Sequence, residues 1–184
     1  NGEVRKLELE ANDNVLVAGV FTQLGDFARR GLGRVLEDGS VDATYAPEPD
    51  NEVRAMVTLP DGKLLIGGIF NNAGGVTQQL VGRLVVSGAA DIGFNRNILD
   101  VGLYSSLHSV NGNPAIAYYD SKNQDVYYIR STDVNGGGWP NPELIDSTGD
   151  VGVGVSLSIG NIGGDILTRD NRGTQDVADD EVTV

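Results

Sequence analysis

The sequence predicts an all-β chain, a β-propeller or partial propeller of about four blades of some 50 residues each. Three observations carry this expectation. Two pairs of internal repeats tile the chain, each repeat is made of short branched or alternating apolar runs, and turn signals separate the runs every 8 to 14 residues. A fixed period of this size marks units that stack on one another to share a core. Units of this length with three or four short strands each are the pattern of propeller blades.

The first pair aligns VRKLELEANDNVLVAGVF, from Val4, with VRAMVTLPDGKLLIGGIF, from Val53, at an ungapped offset of 49. Gly19 falls on Gly68, Phe21 on Phe70, Gly33-Arg34 on Gly82-Arg83, Asp42 on Asp91 and Tyr45 on Phe94. The second pair, at an offset of 50, aligns DVGLYSSLHSVNGNPAIAYYD from Asp100 with DVGVGVSLSIGNIGGDILTRD from Asp150. These repeats predict a single repeat domain, 1–184, with blades at about 3–50, 51–99, 100–149 and 150–184, the last one short.

Within the units, VLVAGVF and KLLIGGIF are branched apolar runs bounded by Gly, Asn and Asp, the signature of buried strands. AIAYYD and DVYYIRS alternate apolar with polar or aromatic positions, as half-buried strands do. PDGK, EDGS, NGNP and DSTGD are turn signals. The best helix candidate, QLGDFARRGLGRVL, is broken by three glycines, and its counterpart is NAGGVTQQLVGRLV, so neither is expected to be helical. The VTV ending favours a final strand over a frayed tail.

Residues 3–97 resemble the delta-sixty type of propeller repeat, on PDGKLLIGGIF, VGRLVVSG and AADIGF, and more loosely on NDNVLVAGVF, LGRVLEDGSVD and ATY. Residues 100–184 resemble BNR or Asp-box blades, found in sialidases and in lectin-like propellers. The match is STDVNGGGW against S-x-D-x-G-x-T-W, with one residue inserted and Gly138 where Thr is usual. The resemblance implies a tight turn between the third and fourth strands of a blade. Ser131 and Asp133 would cap its backbone N–H groups, Gly136 and Gly137 would take positive φ, and Trp139 would be largely buried against its sheet. Such a turn opens away from the face on which propellers usually bind ligands. The same families imply a protein that is secreted or displayed on the cell surface.

Composition narrows the partners. The formal charge is −13, from 26 acidic and 13 basic residues, which repels nucleic-acid phosphates and anionic lipid. No apolar run approaches the roughly 20 residues of a membrane-spanning helix, so membrane insertion is not expected. NGEVRKLELE has none of the segments of a signal peptide, and its abrupt strand-like start favours a piece of something longer. The absence of cysteine rules out disulfides and thiolate zinc sites.

The ligand face of such a fold would carry the loops at 22–30, 71–79, 95–104, 120–125, 146–152 and 170–176. Their planar amides, carboxylates, guanidinium groups and aromatic rings suit a hydroxyl-rich ligand. The candidates are Asp26, Phe27, Arg29, Asn71, Asn72, Gln78, Arg96, Tyr104, Asp120, Asn123, Asp170 and Arg172. DSKNQD makes Asp120, Asn123 and Asp125 calcium candidates, although it lacks the glycine and terminal glutamate of a hand-type loop. No other cofactor is expected. His108 is the only histidine, so neither a His-based metal cluster nor a Ser-His-Asp triad has support. Alternation puts it on the strand face of Ser106 and Tyr104.

Arg5 repeats at Arg54 and Arg34 at Arg83, which marks them as blade structure rather than an arginine triad for a sialic acid carboxylate. No acid pair is singled out for glycoside hydrolysis. The expected role is a non-enzymatic extracellular binding or adhesion module, with a glycan or other cell-surface ligand as partner. The alternatives are a structural subunit of a homo-oligomer or filament, and a glycosidase-like, sialidase-related propeller fragment. Open blade edges also predict association with another copy or with flanking sequence.

Overall fold

The computed structural model describes residues 2–94 and 104–147, together with strands at 156–159, 166–169 and 181–183. The chain divides into two compact units, Asn1–Arg96 and Asn97–Val184. Every regular element among the described residues is a strand.

In the first unit, β1 (Gly2–Leu9), β2 (Val15–Phe21) and β5 (Leu32–Val35) form an antiparallel sheet in the order β1-β2-β5. A bridge from Val35 to Val41 adds a one-residue fourth edge. The β2–β5 connection carries a small hairpin, β3 (Gln23–Leu24) and β4 (Phe27–Ala28). The second repeat reproduces this with β6 (Val53–Thr58), β7 (Leu64–Gly68), the hairpin β8 (Asn72–Ala73) and β9 (Val76–Thr77), and β10 (Val81–Leu84). Its sheet runs β10-β7-β6, with a bridge from Leu84 to Ala90. The starts of β2, β3, β4 and β5 recur at β7, β8, β9 and β10 with the offset of 49 read from the sequence. Gly25 and Gly31 sit where the segment could have been helical, and it folds instead as the β3–β4 hairpin.

The correspondence reaches the irregularities. The β1–β2 register shifts between Val4 and Lys6, and the β6–β7 register shifts between Val53 and Ala55. The residue facing each bulge is glycine, Gly19 or Gly68, because a Cβ there would run into the carbonyl oxygen of Glu3 or Glu52. Arg34 pairs with Asp42 and lies 3.9 Å from the Tyr45 ring centroid, while Arg83 pairs with Asp91 and lies 4.9 Å from that of Phe94. The repeated arginines are blade structure, as the sequence predicts.

The two sheets share a core. Leu16, Ala18 and Leu32 from the first sheet meet Met56, Leu64, Ile66 and Leu84 from the second, with Tyr45, Val53, Phe70 and Ala73 around them. Period-2 alternation puts each set on one face of its sheet. Burying each Leu, Ile or Met of this cluster contributes about 1.5–3 kcal/mol.

In the second unit, β11 (Ser105–Val110), β12 (Asn113–Asp120), β13 (Asp125–Arg130) and β14 (Glu143–Asp146) form a four-stranded antiparallel meander. Asn111 and Gly112 close the first hairpin with φ of 51° and 81°, the mirror-image turn that matches strand twist. Val110, Ala115, Ala117, Tyr119, Val126 and Tyr128 form one buried face, against which Tyr104 and Ile145 pack. His108 pairs in register with Ala115 on that same face. The opposite face buries Leu107, Ile116 and Ile129.

A further sheet contains β15 (Ser156–Ile159), β16 (Ile166–Arg169) and β17 (Glu181–Thr183), so the VTV ending does enter a strand. Here the offset of 50 places the strands but not their pairing. Leu107 faces Ile116, whereas Leu157 faces Thr168 rather than Ile166. A slide of two residues keeps the same side chains on the same face, so the apolar pattern tolerates it.

The turn of Ser131 to Trp139 joins β13 to β14, the third and fourth strands of the meander. The Asp133 carboxylate accepts N–H bonds from Asn135 (3.0 Å), Gly137 (2.9 Å) and Gly138 (2.8 Å). Ser131 Oγ accepts from the Asp133 N–H at 3.3 Å and donates to the Gly138 carbonyl at 2.9 Å. Two details differ from expectation. Of the two glycines expected at positive φ, Gly136 takes it, at 65°, and this one reversal suffices to bring the N–H groups of Gly137 and Gly138 onto the Asp133 carboxylate, so Gly137 does not. Trp139 is only partly buried, and its Nε1–H closes the turn on the Gly136 carbonyl at 3.0 Å.

Candidate binding cleft in the first unit

Two kinds of connection open on the same end of the first unit: the excursion between the second and third strands of a sheet, and the link from one sheet to the next. They meet in a cleft of about 220 Å³. Val20, Phe21, Thr22, Arg30 and Gly31 line it from the β2–β5 side, and Asp50, Asn51 and Glu52 from the link between sheets. Gly31 turns the chain at φ 63°, and the equivalent Leu80 adopts φ 64° without the help of a glycine.

The link is held tightly. Asp50 Oδ1 accepts the N–H groups of Asn71 (2.7 Å) and Asn72 (3.1 Å), and Oδ2 accepts the Asn72 side-chain amide at 2.7 Å. Burial pushes the Asp50 carboxyl up, but the bonds from Asn72 and Asn71 outweigh it and the net shift is downward. Glu52 is 7% exposed and bridges Arg5 Nε at 3.0 Å and Arg54 Nε at 3.1 Å. Its own N–H donates to Asn51 Oδ1 at 2.8 Å. Arg30 is exposed at the rim, and its guanidinium makes no bond or ion pair among the described residues.

The sequence candidates separate into groups. Asp26 is exposed at the tip of the β3–β4 hairpin, and Phe27 beside it is 39% exposed. Asn71 and Asn72 are exposed near the cleft, where their N–H groups organise Asp50. Arg29 and Gln78 are repeat-equivalent and buried. Arg29 donates to the carbonyls of Ala28, Asp42 and Ala43, with its guanidinium 5.5 Å from the Phe27 ring centroid. Gln78 spans the Ala73 carbonyl and the Arg83 N–H. Both brace the hairpin excursion.

In the second unit, Tyr104 is partly buried and packs on the core of its sheet. Asp120 and Asn123 fold onto each other in the β12–β13 turn, where the Asp120 carboxylate takes the Lys122 N–H at 2.9 Å and the Asn123 side-chain amide at 2.6 Å. Asp125 accepts the Tyr127 hydroxyl at 3.4 Å. Among the described residues no three Asp, Glu, His or Cys side chains converge as metal ligands. Arg96, Asp170 and Arg172 lie outside the described residues.

None of the residues lining the cleft is among the sequence candidates, and Arg30, Asp50, Asn51 and Glu52 are its charged and amide-bearing members. The signal was present: the acidic, amide-rich link PEPDNE precedes a strand that opens with Val53-Arg54. The candidate loops include the links between repeats at 95–104 and 146–152, but not this one at 47–52.

A family model described as a domain of unknown function (DUF5122), beta-propeller, matches residues 10–45 and again 59–94. No curated protein matches the chain. Solved structures similar to it include a Bacteroides caccae protein of unknown function, 14% identical with a TM-score of 0.47, the match covering 92% of this chain and 53% of that one. A streptogramin B lyase is 16% identical with a TM-score of 0.48, over 91% and 48% of the two chains. A virginiamycin B lyase from Staphylococcus aureus is 15% identical with a TM-score of 0.48, over 100% and 55%. The chain thus spans about half the length of these structures. The twice-matched family model and the repeated antiparallel sheets identify the first unit as built of β-propeller repeats.

Proposed function

We propose that the chain is a non-enzymatic binding module that works outside the cell and holds a hydroxyl-rich ligand, a carbohydrate, in the cleft of its first unit. One observation carries the reading. The excursion and the sheet-to-sheet link converge there, with Arg30, Asp50 and Asn51 as polar groups around a small hollow. At about 220 Å³ the cleft is smaller than the ~300–1,000 Å³ of pockets for drug-sized ligands, which suits one terminal sugar ring. Arg30 supplies donors, and Asn51 supplies amide donors.

Hydrolysis fits the cleft poorly. Asp50 is held below the usual carboxylate range, the reverse of what a general acid needs. Glu52 is tied to two arginines. A glycan array with the purified chain tests the reading, with the Arg30→Ala, Asn51→Asp double variant beside it, which removes the donors and keeps the Oδ1 acceptor for the Glu52 N–H. Glycan signal that disappears in the variant, at an unchanged urea midpoint, is the expected result. No glycan bound, or equal binding by both proteins, refutes the proposal.

A further inference from the structure

We propose that the outer face of the first sheet, around Val4, Leu7 and Leu9, is the docking surface for one more repeat of this same class, joined to β1 as the first repeat is joined to the second. The inference is independent of any ligand in the cleft. The template is internal. Val53 and Met56, the equivalents of Val4 and Leu7, are 0% and 1% exposed in the core shared with the preceding sheet. Val4, Leu7 and Leu9 are 53%, 59% and 66% exposed. Register puts Leu7 and Leu9 opposite Val17 and Val15, away from the Leu16 and Ala18 face that packs on the second sheet.

Polar groups on this face repeat the same asymmetry. Glu52 takes one arginine from its own repeat, Arg54, and one from the preceding repeat, Arg5. Its equivalent, Glu3, is 64% exposed and pairs with Arg5 of its own repeat. The position of a preceding repeat's arginine is left to be filled. Arg34 also reaches forward to the Val86 carbonyl at 2.9 Å, and the equivalent acceptor in the first repeat is the Glu37 carbonyl. The occupant is thereby specified. It presents a Leu-Ala-Leu face like that of Leu16, Ala18 and Leu32, with arginines at the positions of Arg5 and Arg34. A second copy of the chain fits less well, because its own Leu16 face is already covered by its second sheet and two chains of charge −13 repel.

The test extends the chain with a duplicate of residues 4–52 placed ahead of Val4, the added copy carrying Leu7→Lys and Leu9→Lys so that its own outer face does not take up the dye. Three readouts are an apolar fluorescent dye, amide exchange at the original Leu7 and Leu9, and sedimentation. In the unextended chain the dye binds, and the Leu7→Lys, Leu9→Lys double variant folds with an unchanged midpoint and loses the dye signal. In the extended chain the dye signal falls by about half or more and exchange at Leu7 and Leu9 slows about tenfold or more. Arg5→Ala in the added copy alone reverses part of that slowing. A duplicate that is digested away while dye binding persists overturns the proposal. So does an unextended chain with a protected, dye-free β1, whether it sediments as a monomer or as a dimer.

Discussion

Gly68 faces a backbone bulge, and its lack of a side chain is what allows the Glu52 carbonyl to approach β7. Glu52 in turn carries the two-arginine bridge, so one hydrogen at Cα supports the link between the sheets. Gly68→Ala is expected to destabilise the chain by about 2–3 kcal/mol, the cost of overpacking against backbone that cannot give way, read as a drop in the urea midpoint. Asp91 allows a second prediction. Burial pushes its carboxyl up, but hydrogen bonds from Lys63 and the Gly93 N–H, with the Arg83 guanidinium, hold it below the usual range. The Asp42 carboxyl is lowered too, chiefly by the Thr44 hydroxyl. A depressed folded-state pKa gives stability that is present above the ordinary value of about 3.9 and is lost as pH falls through the folded value. The urea midpoint of the parent chain should therefore fall more steeply below about pH 4 than that of Asp91→Asn. Parallel acid limbs would contradict the assignment.

The elements show what a sequence can and cannot reveal. The offset of 49 placed every strand of the second repeat, both bulges and both arginine–aromatic contacts, because the same apolar spacing and the same glycine opposite each bulge force the same pairing. The offset of 50 was less informative. It placed β15 and β16 but not their register, since a two-residue slide leaves the apolar pattern unchanged. Site residues were legible by type and not by burial. Arg29 and Gln78 look like ligand groups in a polar loop, yet each satisfies backbone groups of an excursion that folds back on its own sheet. The Asp133 turn was legible because Asp and Ser two residues apart before three glycines leave few ways to satisfy the backbone. Asp133→Ala leaves three N–H groups without their acceptor and is expected to cost about 2 kcal/mol, with Asp133→Asn intermediate. Thermal denaturation reads the difference, and an unchanged midpoint in Asp133→Ala would show that the turn does not depend on its carboxylate.

For the molecule as a whole, the first unit is two copies of one blade, as sequence register, sheet order and the doubled family match alike support. Stability follows from the arrangement, since each sheet alone has an apolar face that only a neighbouring sheet can cover. The most direct measurement is the set of cross-strand nuclear Overhauser contacts across residues 2–94 of the full chain. Two copies of one blade give matched contacts 49 residues apart: Leu7 with Val17 and Met56 with Ile66, then Leu16 with Arg34 and Leu65 with Arg83, each hairpin interrupted by a bulge facing Gly19 or Gly68. Helical contacts over 23–36, or a second hairpin whose pairs do not match the first, would contradict that doubling.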